Sequence, residues 1–410
     1  MSNSPEVIVV GGGVIGCAVT YELARRSVPT LLVDQSLPGR ATSASAGGLW
    51  PVGEAVGLGC GVIYHAAHSG TTEAANGDGN DPLPLSDAFR DFLVRSNARF
   101  PDLAVELQSL AQLDIEYAPG AGLLFVIEGQ SQWTFVERVR RSLSGSVRLE
   151  MLSPDEVARL EPQLRRDILG GVLLSGEHQV NPMLLAEAYK RAAIRLGAAF
   201  RPHVSVQAIR RRGNRVVGVE TTGEFLPCSA VVNAAGAWAG RLAATAGLEL
   251  PVFPVRGQIV LTDTLPRVLN SCLSTSTCYL LQKAHGEVLI GSTTEHCGFD
   301  VSVTPEAIAA LCQGAAQTVP TLRKVGIKRV WAGLRPGTPD ELPILGPQGG
   351  LDGYFNAAGG FRTGIVASPL TGEVVAQCVA SEAASVDCAA FSGDRFESTA
   401  DTKLNPIAAQ

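Results

Sequence analysis

The sequence predicts an α/β protein with a doubly wound, nucleotide-binding lobe and a second lobe threaded through it. Three observations lead there. The apolar run Val7-Ile8-Val9-Val10 enters Gly11-Gly12-Gly13-Val14-Ile15-Gly16, then a helix-like stretch to Arg26 and a second apolar run, Thr30-Leu31-Leu32-Val33, ending at Asp34. An apolar segment ending in glycine returns at Ala230–Gly236, and the last part of the chain returns to glycine turns at Gly333–Gly337 and Ala358–Gly364. Between these, residues 251–330 are rich in strand-like runs.

Each element can be justified in order. The opening strand–turn–helix–strand unit has the geometry that binds the ADP half of a dinucleotide. Its glycines allow close backbone approach to a pyrophosphate, and the helix N-terminus supplies donors. Asp34, 18 residues after Gly16, is placed to accept from a ribose hydroxyl. The motif alone does not choose between NAD and FAD. Residues 35–62 are rich in Gly, Ala and Ser and end in Gly57-Leu58-Gly59-Cys60-Gly61, which suits backbone lying against a ligand. Residues 66–84 are polar and glycine-rich, a surface loop suited to a lid or a docking segment. Helical spacing of Phe89, Phe92, Leu93, Phe100, Leu103, Leu107 and Leu110 predicts helix over about 86–113.

Leu123–Ile127 reads as a strand. Ser153-Pro154-Asp155-Glu156 starts a helix with Ser153 as cap, and Asn181-Pro182 starts another that runs to about Leu196. Residues 203–232 predict strand–turn–strand, with turns at Gly213-Asn214 and Thr222-Gly223-Glu224. Further strands are expected at Gln258–Leu261, Tyr279–Leu281 and Glu287–Gly291, and a helix between about Pro305 and Val319. A helix after Gly364 would aim its N-terminus back at ligand. Residues from about Asp394 look loosely held.

The bulk numbers bound the function. The chain has 410 residues, enough for two or three lobes and a sizeable core. A formal charge of -6 argues against a chain-wide nucleic-acid footprint, so no nucleic-acid partner is expected. Arg210-Arg211-Arg212 before Gly213 reads as a solvated hairpin end. Nine scattered cysteines with no CxxC pair argue against a disulfide framework or a zinc site, and no metal is expected; Cys17 and Cys228 read as core thiols. The N-terminal apolar run is too short to span a bilayer. The expected location is cytoplasmic, with peripheral attachment to a membrane partner left open.

Several segments together resemble the D-amino-acid oxidase superfamily of FAD enzymes, in its glycine oxidase and sarcosine oxidase branch. They are Gly11–Gly16, Arg40–Gly48, Val232–Trp238, Pro254–Gln258, Trp331–Thr338 and Gly360–Gly364. Ala46-Gly47-Gly48-Leu49-Trp50, followed by Val56–Ile63, is similar to the C subunits of bacterial hydrogen cyanide synthases and, less closely, the B subunits of opine oxidases. The resemblance implies a Rossmann-like FAD-binding domain interleaved with an α+β substrate-binding domain containing a large, mainly antiparallel sheet. The expected division is 1–85, 150–245 and 330–395 for the first, and 86–149 and 246–329 for the second.

It also implies roles. FAD would be contacted by Gly11, Gly13, Val14, Ile15, Gly16, Asp34, Gln35, Thr42, Ser43, Ala46, Gly47, Gly48, Leu49, Val206, Ala235, Gly236, Trp238, Gly333, Gly360, Arg362, Thr363, Gly364 and Ile365. Arg335 matches the arginine that pairs with a substrate carboxylate, and Tyr279 the tyrosine that helps hold it. A tyrosine opening a strand is equally often a packed ring. Arg362 would lie beside the flavin, facing the substrate or the ring. Lys283 and His285 read as solvated. The glycine oxidase pattern has a histidine two positions before the tyrosine; Thr277 stands there, which would widen that side of the pocket. Cys312 is the nearest cysteine before the Gly-Leu-Arg-Pro motif and falls in a predicted helix, so the FAD is expected to be non-covalent.

The implied activity is oxidation of the C–N bond of a glycine-type amino acid or N-substituted glycine. Hydride would leave Cα for flavin N5 and water would hydrolyse the imine, with O2 or another acceptor taking the electrons. No side chain stands out as a general base. The alternative is the flavin subunit of a multisubunit cyanide synthase or opine dehydrogenase that passes electrons to a partner; homo-oligomer and hetero-oligomer both remain open.

Overall fold

The computed structural model describes residues 5–59, 85–143 and 149–399. The run Cys60–Ile63 and the 66–84 loop, expected as ligand-facing backbone and as a lid or docking segment, lie outside the described residues.

Strand β1 (Val7–Val10), helix α1 (Val14–Arg25) and strand β2 (Thr30–Asp34) form as expected. They sit at the centre of a six-stranded sheet. Its order is Ile344–Pro347, Tyr354–Ala358, Ala230–Asn233, β1, β2, Ala199–Pro202. Every neighbour pair is parallel except the first. Both inner strands are buried throughout, which is why they read as unbroken apolar runs. One face is covered by α1 and the helices Pro182–Arg195 and Gly364–Val379. The other is covered by the three-stranded sheet of 206–227 and the helix Ala239–Ala244.

A second, eight-stranded sheet carries the other lobe. Its order is Ile327–Gly337, Phe253–Thr264, Glu287–Gly291, Tyr279–Gln282, Cys272–Ser274, Leu123–Ile127, Gly170–Leu174, Glu150–Leu152. All its pairs are antiparallel except Cys272–Ser274 with Leu123–Ile127.

The local signals held where they rested on caps. Ser153 Oγ accepts from Glu156 N, and the Glu156 carboxylate accepts from Ser153 N at 2.8 Å. Asn181 Oδ1 accepts from Met183 N and Leu184 N. The single helix expected over 86–113 is two, Asp87–Asn97 and Phe100–Ala111, the second with Pro101 in its first turn.

The expected domain boundaries differ in two places. The helices of 87–111 do not cover the eight-stranded sheet. Phe89, Leu93, Phe100 and Leu107 pack with α1 and its neighbours over the parallel sheet. Conversely, the strands of 150–152, 170–174 and 327–337 pair in the eight-stranded sheet. An amphipathic stripe says that a helix is buried, not which sheet buries it, and strand partners are non-local. The start of the expected loose tail also differs: Arg395 pairs with Asp340 at 2.7 Å and Asp394 accepts from Gly349 N, which ties down these two residues, while 400–410 lie outside the described residues.

Cys17 and Cys228 are buried thiols, both pushed up to about 12 by burial. Among the described residues, no helix is long and apolar enough to cross a membrane.

Candidate functional site

A cavity of about 560 Å³ runs from the glycine turn of the first lobe to the edge of the eight-stranded sheet. At its first end, Gly11 adopts φ +114°, and a Cβ there would lie 2.2 Å from Ala234 O. The turn therefore needs glycine twice over, for conformation and for space. Gly16 has no direct place in the wall; a Cβ on it would meet Gly11 O at 1.8 Å, so it lets α1 approach the turn. The first turn of α1 faces the cavity at Val14 and Ile15, and its N-cap, Gly13, brings no capping side chain. Val14 N donates to Thr42 Oγ1 at 3.0 Å. Bare amides and a helix dipole at a cavity wall suit a pyrophosphate.

Asp34, Gln35 and Val206 line the same end. Asp34 meets Arg40 Nη1 at 2.6 Å, a partner the sequence reading lacked. Arg40 also bridges to Leu334 of the eight-stranded sheet, so this pair joins the lobes. Trp238 and Arg241 line the wall after Ala230–Asn233. Phe299 comes from the other lobe to cover them, with the Arg241 guanidinium 3.7 Å from its ring centroid. Buried Arg256 holds that covering strap, bonding Glu295, Asp300 and Ser302.

At the far end stand Tyr279 and Arg335. Arg335 lies opposite Val255 in an antiparallel pair, so Gly257 is its diagonal neighbour. A Cβ on Gly257 would fall 2.4 Å from the Arg335 guanidinium. The missing side chain is the bed on which Arg335 lies. The guanidinium donates to Thr293 O at 3.1 Å and to Ser292 Oγ, which fixes its plane. Gly291 does the same for Tyr279, whose phenol ring occupies the space of a Cβ there. Trp50 packs edge-on against Tyr279, with centroids 5.7 Å apart at 78°. Both rings are buried and both line the cavity. The result is a cation and a phenol on a rigid sheet, with an indole closing one side.

Arg362 reaches the wall but not as an uncommitted cation. Its Nε donates to Glu54 at 2.7 Å and its Nη1 to Glu341 at 2.9 Å. The Arg362 and Glu54 side chains are only 4% and 5% exposed, which makes this a buried pair. Behind Glu54, Glu177 accepts from Val52 N and Gly53 N, and burial pushes its carboxyl well above the usual range.

Of the expected cofactor residues, Ala46, Gly47, Gly48, Ala235, Gly236, Gly333, Gly360, Gly364 and Ile365 line the cavity with those already placed. Ser43, Leu49 and Thr363 do not. Ser43 Oγ donates to Arg40 O on an exposed turn, Leu49 is wholly inside the first core, and Thr363 Oγ1 turns back to Gly360 O. Thr277 does not widen the pocket either. It packs against Gly314 of the helix Pro305–Thr318, away from the cavity wall. Lys283 is not solvated: its ammonium donates to Ala46 O and Val180 O, and burial pushes it down to about 8. His285 is exposed and meets Glu116 at 3.1 Å. Sequence reasoning missed Glu54 and Trp50. Trp50 at least closed a recognised motif, though with no role given to it; Glu54 sits in a five-residue helix with no pattern to mark it.

The comparisons agree with this architecture. A family model described as FAD dependent oxidoreductase (DAO) matches residues 6–378. The hydrogen cyanide synthase subunit HcnC of Pseudomonas aeruginosa is 44% identical over 407 residues, 97% of each chain. The glycine oxidase of Geobacillus kaustophilus is 32% identical over 396 residues, 96% of this chain and 97% of that one. Its crystal structure superposes with a TM-score of 0.82, at 31% identity, over 94% of this chain and 97% of that chain. The iminodiacetate oxidase of Chelativorans superposes with a TM-score of 0.79 at 27% identity, over 94% and 98%. The glycine turn, the cavity that continues from it and these matches have one reading: the chain belongs to the DAO family of FAD-dependent oxidoreductases.

Proposed function

We propose that this chain is the flavin-bearing subunit of a multisubunit, cyanide-synthase-type dehydrogenase that oxidises glycine. The observation that carries the substrate side is Arg335 laid over Gly257 beside Tyr279, at the cavity end opposite the glycine turn. A planar guanidinium anchored by Thr293 O and Ser292 Oγ keeps its remaining edge for a carboxylate. The assembly side is supported by the relatives: HcnC subunits match at 44% and 43% over nearly their whole length, glycine oxidases at about a third or less.

Chemistry narrows the substrate. Glycine minus carbon dioxide and four hydrogens is hydrogen cyanide, so only an amino acid bare at both Cα and nitrogen ends there. The packed Trp50–Tyr279 pair suits so small a molecule. FAD would lie non-covalently along the cavity, with pyrophosphate at Gly11–Val14 and the flavin toward Gly48, Gly333 and Gly360, and would accept hydride from Cα. No cysteine among the described residues lines this cavity. The protein supplies orientation: Arg335 and Tyr279 fix the carboxylate, and with it the direction of the Cα–H bond.

A second reading, a stand-alone oxidase of N-substituted glycines, is favoured by the structural likeness to an iminodiacetate oxidase. An anaerobic flavin-bleaching screen of glycine, sarcosine, N-alkyl glycines, opines and D-amino acids decides the substrate. Reoxidation of the lone chain by oxygen, compared with an artificial dye, decides the partner question. Fast bleaching by glycine with slow oxygen turnover is the expected outcome. Rapid oxygen consumption with an N-substituted glycine would reject the proposal.

A further inference from the structure

One wall of the substrate end is an indole that brings no charge to the reaction. Trp50 is only 2% exposed, yet it lines the cavity together with Arg335 and Tyr279. Its ring is held from several sides. Beneath it is Gly48: a Cβ there would meet Trp50 Cε2, Cδ2 and Cζ2 at 2.4–2.7 Å, so the fused edge of the indole lies on the bare glycine. Beside it is Tyr279, edge-on, with ring centroids 5.7 Å apart. After it comes Pro51, which opens the helix Pro51–Ala55 and keeps the Trp50 backbone out of the helical region. The ring also belongs to the buried cluster of Leu58, Leu123 and Phe125, so turning it away would open the core.

These contacts give the indole a particular span. Gly48 stands on the turn placed above toward the flavin, and Tyr279 stands at the carboxylate end. A substrate held between them has its nitrogen and Cα along that span. In glycine both atoms carry only hydrogen beyond the backbone itself. A group added to either one meets a wall that is large, apolar and fixed.

We propose that Trp50 is the specificity-determining residue that confines the substrate to an amine bare at nitrogen and Cα, a role that rests on the glycine reading above, with Arg335 and Tyr279 on the carboxylate. Such a wall acts by exclusion. Glycine fits without moving it. A larger amine must displace a packed ring or pull its own carboxylate off Arg335. One added methyl group is worth about ten- to 200-fold in discrimination at an apolar wall.

The test is anaerobic flavin reduction, by rapid mixing, of wild type, Trp50→Ala and Trp50→Phe with glycine, sarcosine, N-ethylglycine and D- and L-alanine. Beside it runs the affinity for acetate, propionate and trimethylacetate, read from the change each makes in the visible flavin spectrum. The deciding quantity is the ratio of the bimolecular reduction rate with a substituted amine to that with glycine, because general damage lowers both together. Wild type should favour glycine by about tenfold or more over each substituted amine. Trp50→Ala should raise the ratio for sarcosine or alanine by about tenfold or more, even where glycine itself slows, with Trp50→Phe in between. Trimethylacetate should bind wild type about tenfold or more weakly than acetate, and Trp50→Ala should remove most of that difference. A Trp50→Ala protein that keeps its FAD and has ratios within about twofold of wild type overturns the proposal and leaves the glycine reading standing. Wild type reduced by N-substituted glycines as fast as by glycine fails that reading and the proposal with it. If neither variant holds FAD, the wild-type carboxylates decide: equal affinity for acetate and trimethylacetate rejects Trp50 as a size limit.

Discussion

Gly257→Ala separates the substrate end from the rest of the molecule. The added Cβ would sit 2.4–2.6 Å from three atoms of the Arg335 guanidinium, its three nearest neighbours. A real Cβ cannot stay there, and the far end of an arginine moves more easily than a sheet. The guanidinium must therefore swing off its bed and give up Thr293 O and Ser292 Oγ. Each hydrogen bond to a charged group is worth about 1.5–3 kcal/mol. A substrate carboxylate that loses one such contact should bind its transition state about ten- to 150-fold less well. Strand pairing between Phe253–Thr264 and Ile327–Gly337 stays intact, and the glycine turn lies at the other end of the cavity. FAD content, read from the visible spectrum, should match wild type. The assay is kcat/KM for glycine with an artificial electron acceptor, beside the flavin-to-protein ratio. A variant with full FAD and kcat/KM within about twofold of wild type would refute the assignment of Arg335 to the carboxylate.

Three further outcomes follow from other parts of the molecule. Gly16→Ala places a Cβ 1.8 Å from Gly11 O, so the purified protein should lack FAD or fail to fold; a stoichiometric flavoprotein would contradict the turn geometry. Arg256→Ala leaves Glu295 and Asp300 without their shared cation, and Asp300 is about half exposed, so we expect a cost of roughly 2 kcal/mol and a melting point a few degrees lower. The strap bearing Phe299 should also become a new site of proteolysis, and an unchanged digestion pattern would speak against its role as a cover. Glu177 is raised in the folded state by burial, so its contribution to stability is full below the ordinary carboxyl range and is lost as pH rises through the folded value. Glu177→Gln, neutral throughout, should gain on wild type in melting temperature as pH increases from 5 to about 8; parallel melting curves would show that Glu177 does not titrate there.

What could be read without coordinates follows the range of the forces involved. The glycine turn was legible because strand, turn, helix and acid lie within one local unit, where steric demands such as Gly16 against Gly11 O act between near neighbours. The caps at Ser153 and Asn181 were legible for the same reason. The lobe boundaries were not, because the stripe of Phe89, Leu93 and Phe100 is equally suited to either sheet. The site lies between these cases. Pro254–Gln258 and Trp331–Thr338 were both noticed as motifs, but nothing in either segment says why they belong together. Their register does: Gly257 faces Gly333, which sets Arg335 diagonally across Gly257, and the empty Cβ position of one motif becomes the seat of the other's side chain. Glu54 is the opposite case. Its helix is five residues long, it meets Arg362 across 308 positions, and no periodicity marks it. Arg335 sits on a sheet whose pairing is rigid, whereas Glu54 sits on a short helix held by two hydrogen bonds to Glu177. Changes at Gly257 should therefore alter affinity with the fold intact, while changes at Glu54 should disturb both its buried pair with Arg362 and the short helix that carries it.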